Sequence, residues 1–182
     1  MRRLLRFALV IGFVATLTSV SSCAGWDPEK PEREQEKVAE TIAAFKKRDP
    51  GMKTFFNNAH GYAVFSTVGK GAMGIGGAYG KGRVYEKGRM IGTAQLTQVT
   101  YGFQLGGQAY SEIIFFQNPN AIDRFKSNRL EFSAQVSAVA VTAGASADAA
   151  YEHGVAVFTM AKGGLMYEAA IGGQTFTFHP NR

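Results

Sequence analysis

The sequence predicts an α+β protein rich in β-structure: an antiparallel barrel or sandwich of glycine-rich, bent strands, with short N-terminal and middle helices. Two observations support this fold class. The chain has 22 glycines, which are clustered and not spread evenly, and many lie between residues 61 and 116. Within this region "TQVTYGFQLGG" alternates between polar and apolar residues, the period of a half-buried strand, whereas helical spacing occurs in short flanking segments.

The first helix is predicted before the glycine-rich region. Val38, Ile42 and Phe45 recur at i, i+4 and i+7 and therefore share one helix face. Residues 46–48 are all basic and close the helix, as the negative end of the helix dipole favours. The Asp-Pro pair at 49 and 50 then predicts a second short helix, with the aspartate as N-cap and the proline as first helical residue.

The glycine-rich region is predicted to hold several strands. "GYAVFSTV" from residue 61 has the composition of a strand, and "RVYEKGRMIG" suggests two strands joined at Lys87-Gly88. "EIIFF", a continuous apolar run before Asn-Pro, predicts a fully buried strand. "TQVTYGFQLGG" predicts a half-buried strand whose apolar side carries Val99, Tyr101, Phe103 and Leu105.

The last third begins with a short helix capped by Asn118 and opened by Pro119, with Ile122 and Phe125 facing the core. "VSAVAVT" favours a strand, and "GVAVFTMAKGGLMYEAAIGGQTFTFHP" predicts three short ones. "GYAVFSTVGKGAMG" resembles "GVAVFTMAKGGLMY", and Gly-Gly-x-aromatic ends recur. We interpret these repeats as a duplicated hairpin unit whose strands bend where a Cβ would clash and an aromatic ring covers the gap.

The chain opens with the features of a signal peptide. Three arginines precede an apolar run, Phe7 to Leu17, that is too short for a membrane span of about 20 residues. "VSSC" then resembles the lipobox of bacterial lipoproteins, in which the cysteine is acylated and cleavage falls just before it. Cys23 is the single cysteine of the chain. We therefore predict that it is the lipid anchor, although an ordinary signal peptide with an incidental cysteine is the alternative.

The anchor defines the predicted domain organisation and location. Residues 1–22 are predicted to be the lipoprotein signal peptide, residues 23–32 the lipidated cysteine and a polar tether, and residues 33–182 a single domain. Several acyl chains hold a protein stably on a bilayer, whereas one holds it marginally. By resemblance to enterobacterial sorting, Ala24 in place of Asp indicates the outer membrane, with the periplasmic face expected.

Charge places a limit on the partners. The formal net charge is +6 with a pI near 9.5, which suggests an anionic partner. Removing Arg2, Arg3 and Arg6 with the signal peptide leaves +3, a mild excess. Nucleic acid is also scarce in the periplasm, so we predict no nucleic-acid binding.

Motifs that suggest catalysis or cofactors are weak. "GKGAMG" at residues 69–74 matches G-x-G-x-x-G, but the glycines that follow it oppose the helix that a dinucleotide site requires. "GASAD" at 144–148 nearly matches a nucleophile elbow around Ser146, with an acid where the second glycine belongs. The histidines at 60, 153 and 179 are isolated, so we predict no metal, no cofactor beyond acyl chains on Cys23, and no enzymatic activity.

Basic residues lie beside the helix junction and the glycine-rich segment. Glycine loops beside lysines can present backbone N–H groups to a phosphate, and the alternative is a solvated rim. Lys87 and Arg89 flank the same segment. Phe45, Phe55 and Phe56 could contact a membrane or belong to the core. The predicted head-group contacts are Lys46, Lys47, Arg48, Lys53, Lys70, Lys81 and Arg83.

Four long segments together resemble the SYLF domain, in its bacterial lipoprotein branch, from about residue 35 to about 179. They are "GYAVFSTVGKGAMGIGGAYGKGRVYEKG", "TQVTYGFQLGGQAYSEIIFF", "AVAVTAGASADA" and "GVAVFTMAKGGLMYEAAIGGQTF". Eukaryotic relatives bind phosphoinositides and other anionic lipids, and some bind or bundle actin. For a bacterial envelope protein the resemblance implies binding to anionic phospholipids, with phosphatidic acid, phosphatidylglycerol or cardiolipin as ligands.

Three functions stay open at the level of sequence. The first is a membrane-anchored, non-enzymatic lipoprotein that binds anionic phospholipid head groups. The second is an envelope scaffold or surface antigen that binds another protein, whose identity is unknown. The third is a hydrolase that uses Ser146.

Overall fold

The computed structural model describes residues 31–73, 75–101, 108–130, 138–162 and 173–181. The predicted signal peptide, Cys23, most of the tether, Phe103, Leu105 and the segment from 163 to 172 lie outside the described residues. The elements are, in chain order, α1 (Pro31–Arg48), α2 (Met52–Asn58), β1 (Gly61–Met73), β2 (Ile75–Glu86), β3 (Arg89–Tyr101), β4 (Gln108–Phe116), α3 (Pro119–Lys126), β5 (Val139–Ala140), a 3₁₀ turn (Ala145–Ala147), β6 (Val155–Ala161) and β7 (Gln174–Pro180).

The seven strands form one mixed sheet in the order β5-β6-β4-β1-β2-β3-β7. Every neighbouring pair is antiparallel except β5 and β6, which are parallel. The α+β, β-rich class is therefore confirmed. The antiparallel barrel or sandwich is wrong for the described strands, because β5 and β7 are unjoined edges and helices, not a second sheet, cover the faces.

The sheet is strongly curved. The side chain of Gln174 on β7 reaches Glu112 on β4, with 3.0 Å between Nε2 and Oε2, although three strands separate β7 from β4. At about 4.8 Å per strand, a flat sheet would hold these two strands roughly 19 Å apart. The sheet therefore has a concave and a convex face.

Each face carries its own core. On the concave face α3 packs Phe125 against Phe116 and Phe176, with ring centroids 5.0 and 5.4 Å away. On the convex face α1 and α2 bury Phe45 and Phe55 against the alternate residues of β1, β4 and β6. The two phenylalanines, open to either role in the sequence, are core residues.

Several predicted elements are confirmed. Val38 and Phe45 are buried on α1, β4 buries the whole "EIIFF" run, and Asn118 accepts the backbone N–H of Ala121 at 3.0 Å to cap α3. Lys87 and Gly88 form the turn between β2 and β3 with φ of 48° and 77°, the left-handed conformation of a tight hairpin turn.

The strand β3 is present, but the prediction of which of its faces is buried is wrong at Val99. Val99 is 60% exposed, whereas Gln98 is 3% exposed and faces the concave interior. The side chains of Tyr101, Phe103 and Leu105 lie outside the described part. An alternating pattern shows which residues share a face of the strand, but it does not show which face the rest of the protein covers.

Two further boundaries differ from expectation. Helix α2 begins at Met52, two residues later than predicted, and Gly51 is its N-cap. The Asp49 carboxylate still accepts the Gly51 N–H at 2.9 Å, so the aspartate stabilises the turn before the helix. In "VSAVAVT" the described strand is two residues long, Val139–Ala140.

The internal sequence echo has a structural counterpart. The first segment contains β1 and the described part of the second contains β6, and both strands pair antiparallel with β4, one on each side. Phe116 of β4 lies opposite Gly61 of β1 and Val155 of β6. No helix within the described ranges is both long and apolar enough to cross a bilayer.

Candidate functional site

A groove of about 490 Å³ lies between α1, the end of α2 and the β2–β3 turn. We call it the α1–α2 groove. Its apolar lining comes from alanine, isoleucine and aromatic side chains, and its polar lining carries two lysines, an asparagine and a histidine. The lining residues are Ala39, Ile42, Ala43, Lys46, Phe56, Asn57, Ala59, His60, Gly61, Tyr62, Lys87 and Gly88.

An aromatic wall forms one side of the α1–α2 groove. Phe56 meets Tyr62 edge to face with ring centroids 5.2 Å apart, and Tyr62 stacks on Tyr85 at 5.0 Å. Burial raises the pKa of Tyr62, and the neighbouring Tyr85 raises it further. The Tyr62 hydroxyl is therefore neutral across the physiological range, and the wall carries no negative charge.

Lys46 is the predicted head-group residue that the structure places in the groove. The basic end of α1 carries it over the aromatic wall, where its Nζ lies 4.4 Å from the Phe56 ring centroid. That distance is within the range of a cation–π contact. In the ranges that the structure describes, Lys46 has no ion-pair partner, so its charge is available to an anion.

Lys87 brings a second positive charge to the same groove. It occupies the first position of the β2–β3 turn, and its backbone N–H donates to the His60 carbonyl at 3.1 Å. This bond holds the turn beside α2. The sequence placed Lys87 near the glycine-rich segment but not in the predicted site, because the spacing of 41 residues gives no sign that it meets Lys46.

Glu86, the neighbour of the lining residue Lys87, is held by two partners. Glu86 accepts a bond from His60, with 3.0 Å between Oε1 and Nε2, and its other oxygen lies 3.3 Å from Lys126 Nζ. A hydrogen bond to Asp123, followed by the Glu86 contact, raises the pKa of Lys126 despite partial burial. Within the described residues Glu86 therefore pairs with His60 and Lys126 and not with Lys46 or Lys87.

The remaining predicted residues do not form one patch. Lys47, Arg48 and Lys53 are exposed around the α1–α2 junction. Lys70 is half-buried and faces the concave side, because it pairs with Ala78 of the concave core. Lys81 is half-buried and faces the convex side. It lies three positions before Val84 of the concave core, and strand residues an odd number of positions apart point to opposite faces.

The structure does not support Arg83 as a head-group contact. Its side chain is 6% exposed, and its guanidinium donates to the Pro31 carbonyl and to the Met90 sulfur. Arg83 therefore fastens the start of α1 to the sheet. A basic residue near glycines looks the same in sequence whether it faces solvent or lies beneath a helix.

Ser146 has a structural position. It is buried in the 3₁₀ turn, and its backbone N–H donates to Asp49 Oδ2 at 2.7 Å. Burial raises the pKa of Asp49, but hydrogen bonds from Ser146, Gly51 and Gly144 outweigh this effect and leave it lowered. Ser146 thus holds a buried aspartate, and this geometry favours the reading of "GASAD" as a turn.

Two comparisons connect this fold with known proteins. A family model described as Ysc84, Las17-binding protein actin regulator, matches residues 97–181. The match covers the end of β3 and all the described elements that follow.

Residues 97–181 match the SYLF domain family. The resemblance seen in the sequence is thereby confirmed. The SYLF family is in general a lipid-binding, non-enzymatic domain family. The α1–α2 groove is formed by residues 39–88, which precede the matched range.

A curated relative is also similar. The chain is 27% identical over 132 residues to Beta cell expansion factor A of Aeromonas veronii, an alignment that covers 70% of this chain. The chain spans about half the length of that relative, since the alignment covers 49% of it.

Proposed function

We propose that this chain is a lipid-anchored protein of the bacterial envelope whose SYLF domain binds anionic phospholipid head groups in the α1–α2 groove. The observation that supports the proposal is that one groove combines an apolar lining with two lysines, Lys46 and Lys87. No reaction is assigned to the site, because binding alone requires no nucleophile or general base.

The two kinds of lining suit the two parts of a phospholipid head. A phosphate between Lys46 and Lys87 would receive charge-assisted hydrogen bonds, which are stronger than neutral ones. Ile42, Phe56 and Tyr62 would contact the glycerol carbons beside that phosphate. The cation–π contact holds Lys46 over the aromatic wall, so less side-chain freedom is lost on binding.

The proposed anchor would keep the domain near its ligand. Acyl chains on Cys23 would hold the chain on the outer membrane at its periplasmic face. The chain from Cys23 to Pro31 spans at most about 28 Å when fully extended. Tethering at this range raises the effective concentration of the groove at the membrane surface, so a weak single-site affinity would suffice.

Flotation of the protein with lipid vesicles tests the proposal. The protein is prepared from residue 24 onward so that no acyl chain contributes, and vesicles of phosphatidylcholine are compared with vesicles that also contain phosphatidylglycerol. We expect binding to the acidic vesicles that weakens with salt, since exposed charges are screened. Equal and negligible binding to both vesicle types would refute the proposal.

Charge-removing variants locate the site. Lys46→Gln with Lys87→Gln should weaken binding roughly 30-fold, since each basic residue at an anionic surface contributes about 1 kcal/mol. Lys53→Gln with Lys81→Gln removes the same charge away from the groove. If this control weakens binding equally, the attraction is a property of net charge and not of the groove.

The vesicle experiment also tests the alternative function, an envelope scaffold that binds another protein. A protein that ignores both vesicle types but retains a stoichiometric protein partner after lipid removal would establish it.

A further inference from the structure

Four polar side chains lie buried together inside the concave face. We call Tyr110, Glu112, Thr159 and Gln174 the concave polar cluster; their exposed fractions are 2%, 0%, 1% and 0%. They come from β4, β6 and β7, and the curvature of the sheet brings them together. The cluster is separate from the α1–α2 groove, whose lining comes from α1, α2, the start of β1 and the β2–β3 turn.

The Gln174 amide donates the two hydrogen bonds that the structure shows within the cluster. Gln174 Nε2 donates to Glu112 Oε2 at 3.0 Å and to Tyr110 Oη at 3.2 Å. Glu112 Oε1, Gln174 Oε1 and Thr159 Oγ1 have no hydrogen-bond partner in the described part of the chain. The unmatched atoms of this cluster are therefore all oxygens.

These oxygens belong to side chains that are neighbours. Glu112 and Thr159 lie directly opposite each other on β4 and β6, a pairing that sets their Cβ atoms about 5 Å apart. The Gln174 amide already contacts Glu112. Three strands therefore deliver a carboxyl, a hydroxyl and an amide oxygen to one volume of the interior.

A folded protein rarely leaves such a group without a partner. Buried polar atoms are nearly always hydrogen-bonded, and each exception needs an explanation such as an unseen water or ion. Gln98, which lies opposite Gln174 on β3, also faces this interior, and the rest of the core there is mainly alanine, valine, phenylalanine, leucine and isoleucine. Three exceptions at one place therefore point to a bound species.

We propose that the concave polar cluster binds a monovalent cation, with Glu112 Oε1, Thr159 Oγ1 and Gln174 Oε1 as its ligands. Oxygen atoms are the ligands that hard cations prefer. One carboxylate balances one positive charge, and a divalent ion would remain uncompensated beside it. The described residues also contain no group of three or more His, Cys, Asp or Glu arranged for a metal.

The charges around the cluster fit this assignment. Burial raises the pKa of Glu112 to about 8, and the Gln174 hydrogen bond lowers it only in part. Tyr110 is the other titratable group of the cluster, and burial raises its pKa far above neutrality. Lys70 shares the concave face but makes no ion pair with Glu112 in the residues described. A proton and a cation would therefore compete for the same carboxylate.

Thermal unfolding of the full chain in different salts tests the site. The midpoint is measured at about pH 9 in about 150 mM potassium, sodium, ammonium or choline chloride. Choline controls for ionic strength and is too large for a three-oxygen site. We expect the best-fitting small cation to raise the Tm by about 5–10 °C over choline, as for an ion at 100 times its Kd. Comparison of the Tm values in potassium and ammonium chloride distinguishes a site for a metal ion from a site for an ammonium group.

Variants identify the ligands and complete the test. Glu112→Gln should abolish the cation-dependent shift and Thr159→Val should reduce it, while Glu86→Gln, which removes a carboxylate outside the cluster, should keep it. Rubidium in crystals of the full chain should give anomalous density between the three oxygens. Equal Tm values in choline and every small cation, or an undiminished shift in Glu112→Gln or in Thr159→Val, would overturn the proposal.

Discussion

Asp49 joins parts of the chain that are 97 residues apart. Its two carboxylate oxygens accept the backbone N–H groups of Gly51 at 2.9 Å and Ser146 at 2.7 Å. The residue was predicted from sequence as a helix cap, a local role. Its long-range bond could not be predicted, because nothing in "GASAD" indicates which carboxylate it would contact.

Asp49→Ala should lower the free energy of unfolding by about 3 kcal/mol at neutral pH, because two backbone N–H groups, of which that of Ser146 is buried, lose a charged partner. Chemical denaturation measures the change. The lowered pKa of Asp49 also predicts that its contribution is present above about pH 4 and is lost as the pH falls through the folded-state value. Asp148→Ala removes an exposed acid directly after the 3₁₀ turn of Ser146 and is the control. It should change stability by less than about 0.5 kcal/mol; equal effects would contradict this role.

Glu112 contributes a pH dependence of the opposite sign. Its pKa is raised from 4.5 to about 8 by burial, so the folded protein holds a proton that the unfolded chain releases. Stability should therefore fall as the pH rises from about 4.5 to about 8 and then level off. Measured in choline chloride, Glu112→Gln should flatten this slope and be the more stable form at pH 9; an unchanged slope would show that another group is responsible.

At the scale of the elements, the sequence predicts where helices, strands and turns form, but not which face of an element is buried. The buried run of β4, the capped start of α3 and the turn at Lys87 and Gly88 follow from short-range chemistry. The face of β3 that is buried and the burial of Arg83 depend on how the sheet curves and where α1 lies. Contacts between residues distant in sequence determine both. The α1–α2 groove shares this origin, since it exists only once a helix and a hairpin turn meet.

Glycines let adjacent strands of the curved sheet approach closely. A Cβ at Gly82 would lie 2.6 Å from the Val64 carbonyl oxygen and 2.8 Å from the Phe65 ring. Gly82 lies outside the predicted Gly-Gly-x-aromatic ends. At Gly77 and Gly173, which belong to those ends, a Cβ would meet the carbonyl oxygens of Gln98 and Val99 and not an aromatic ring.

Gly82→Ala should therefore destabilise the fold by about 1–3 kcal/mol, the range for overpacking a core. Gly69→Ala provides a matched control on the neighbouring strand, because a Cβ there meets nothing within 4 Å. The two variants should differ clearly in urea midpoint. Similar midpoints would mean that the sheet relaxes to admit the methyl group.

At the scale of the whole molecule, the proposed function joins a membrane tether at Cys23 to a lipid-binding domain. Replacing Cys23 with serine should release the protein from the envelope membrane, because several acyl chains are required for stable attachment. Fractionation and intact mass measure the result. The vesicle affinity of the domain itself should be unaltered. Membrane retention of an unacylated Cys23→Ser protein would show that the domain, and not the cysteine, holds it there.

The most direct test of the central claim is an NMR titration of the domain with a short-chain phosphatidylglycerol, followed at every assigned residue. We expect saturable chemical-shift changes concentrated on Lys46, Phe56, Tyr62 and Lys87, with Lys53 and Lys81 nearly unchanged. A short-chain phosphatidylcholine should produce much smaller shifts. Shifts centred elsewhere, or equal responses to the two lipids, would contradict the assignment of the α1–α2 groove as an anionic head-group site.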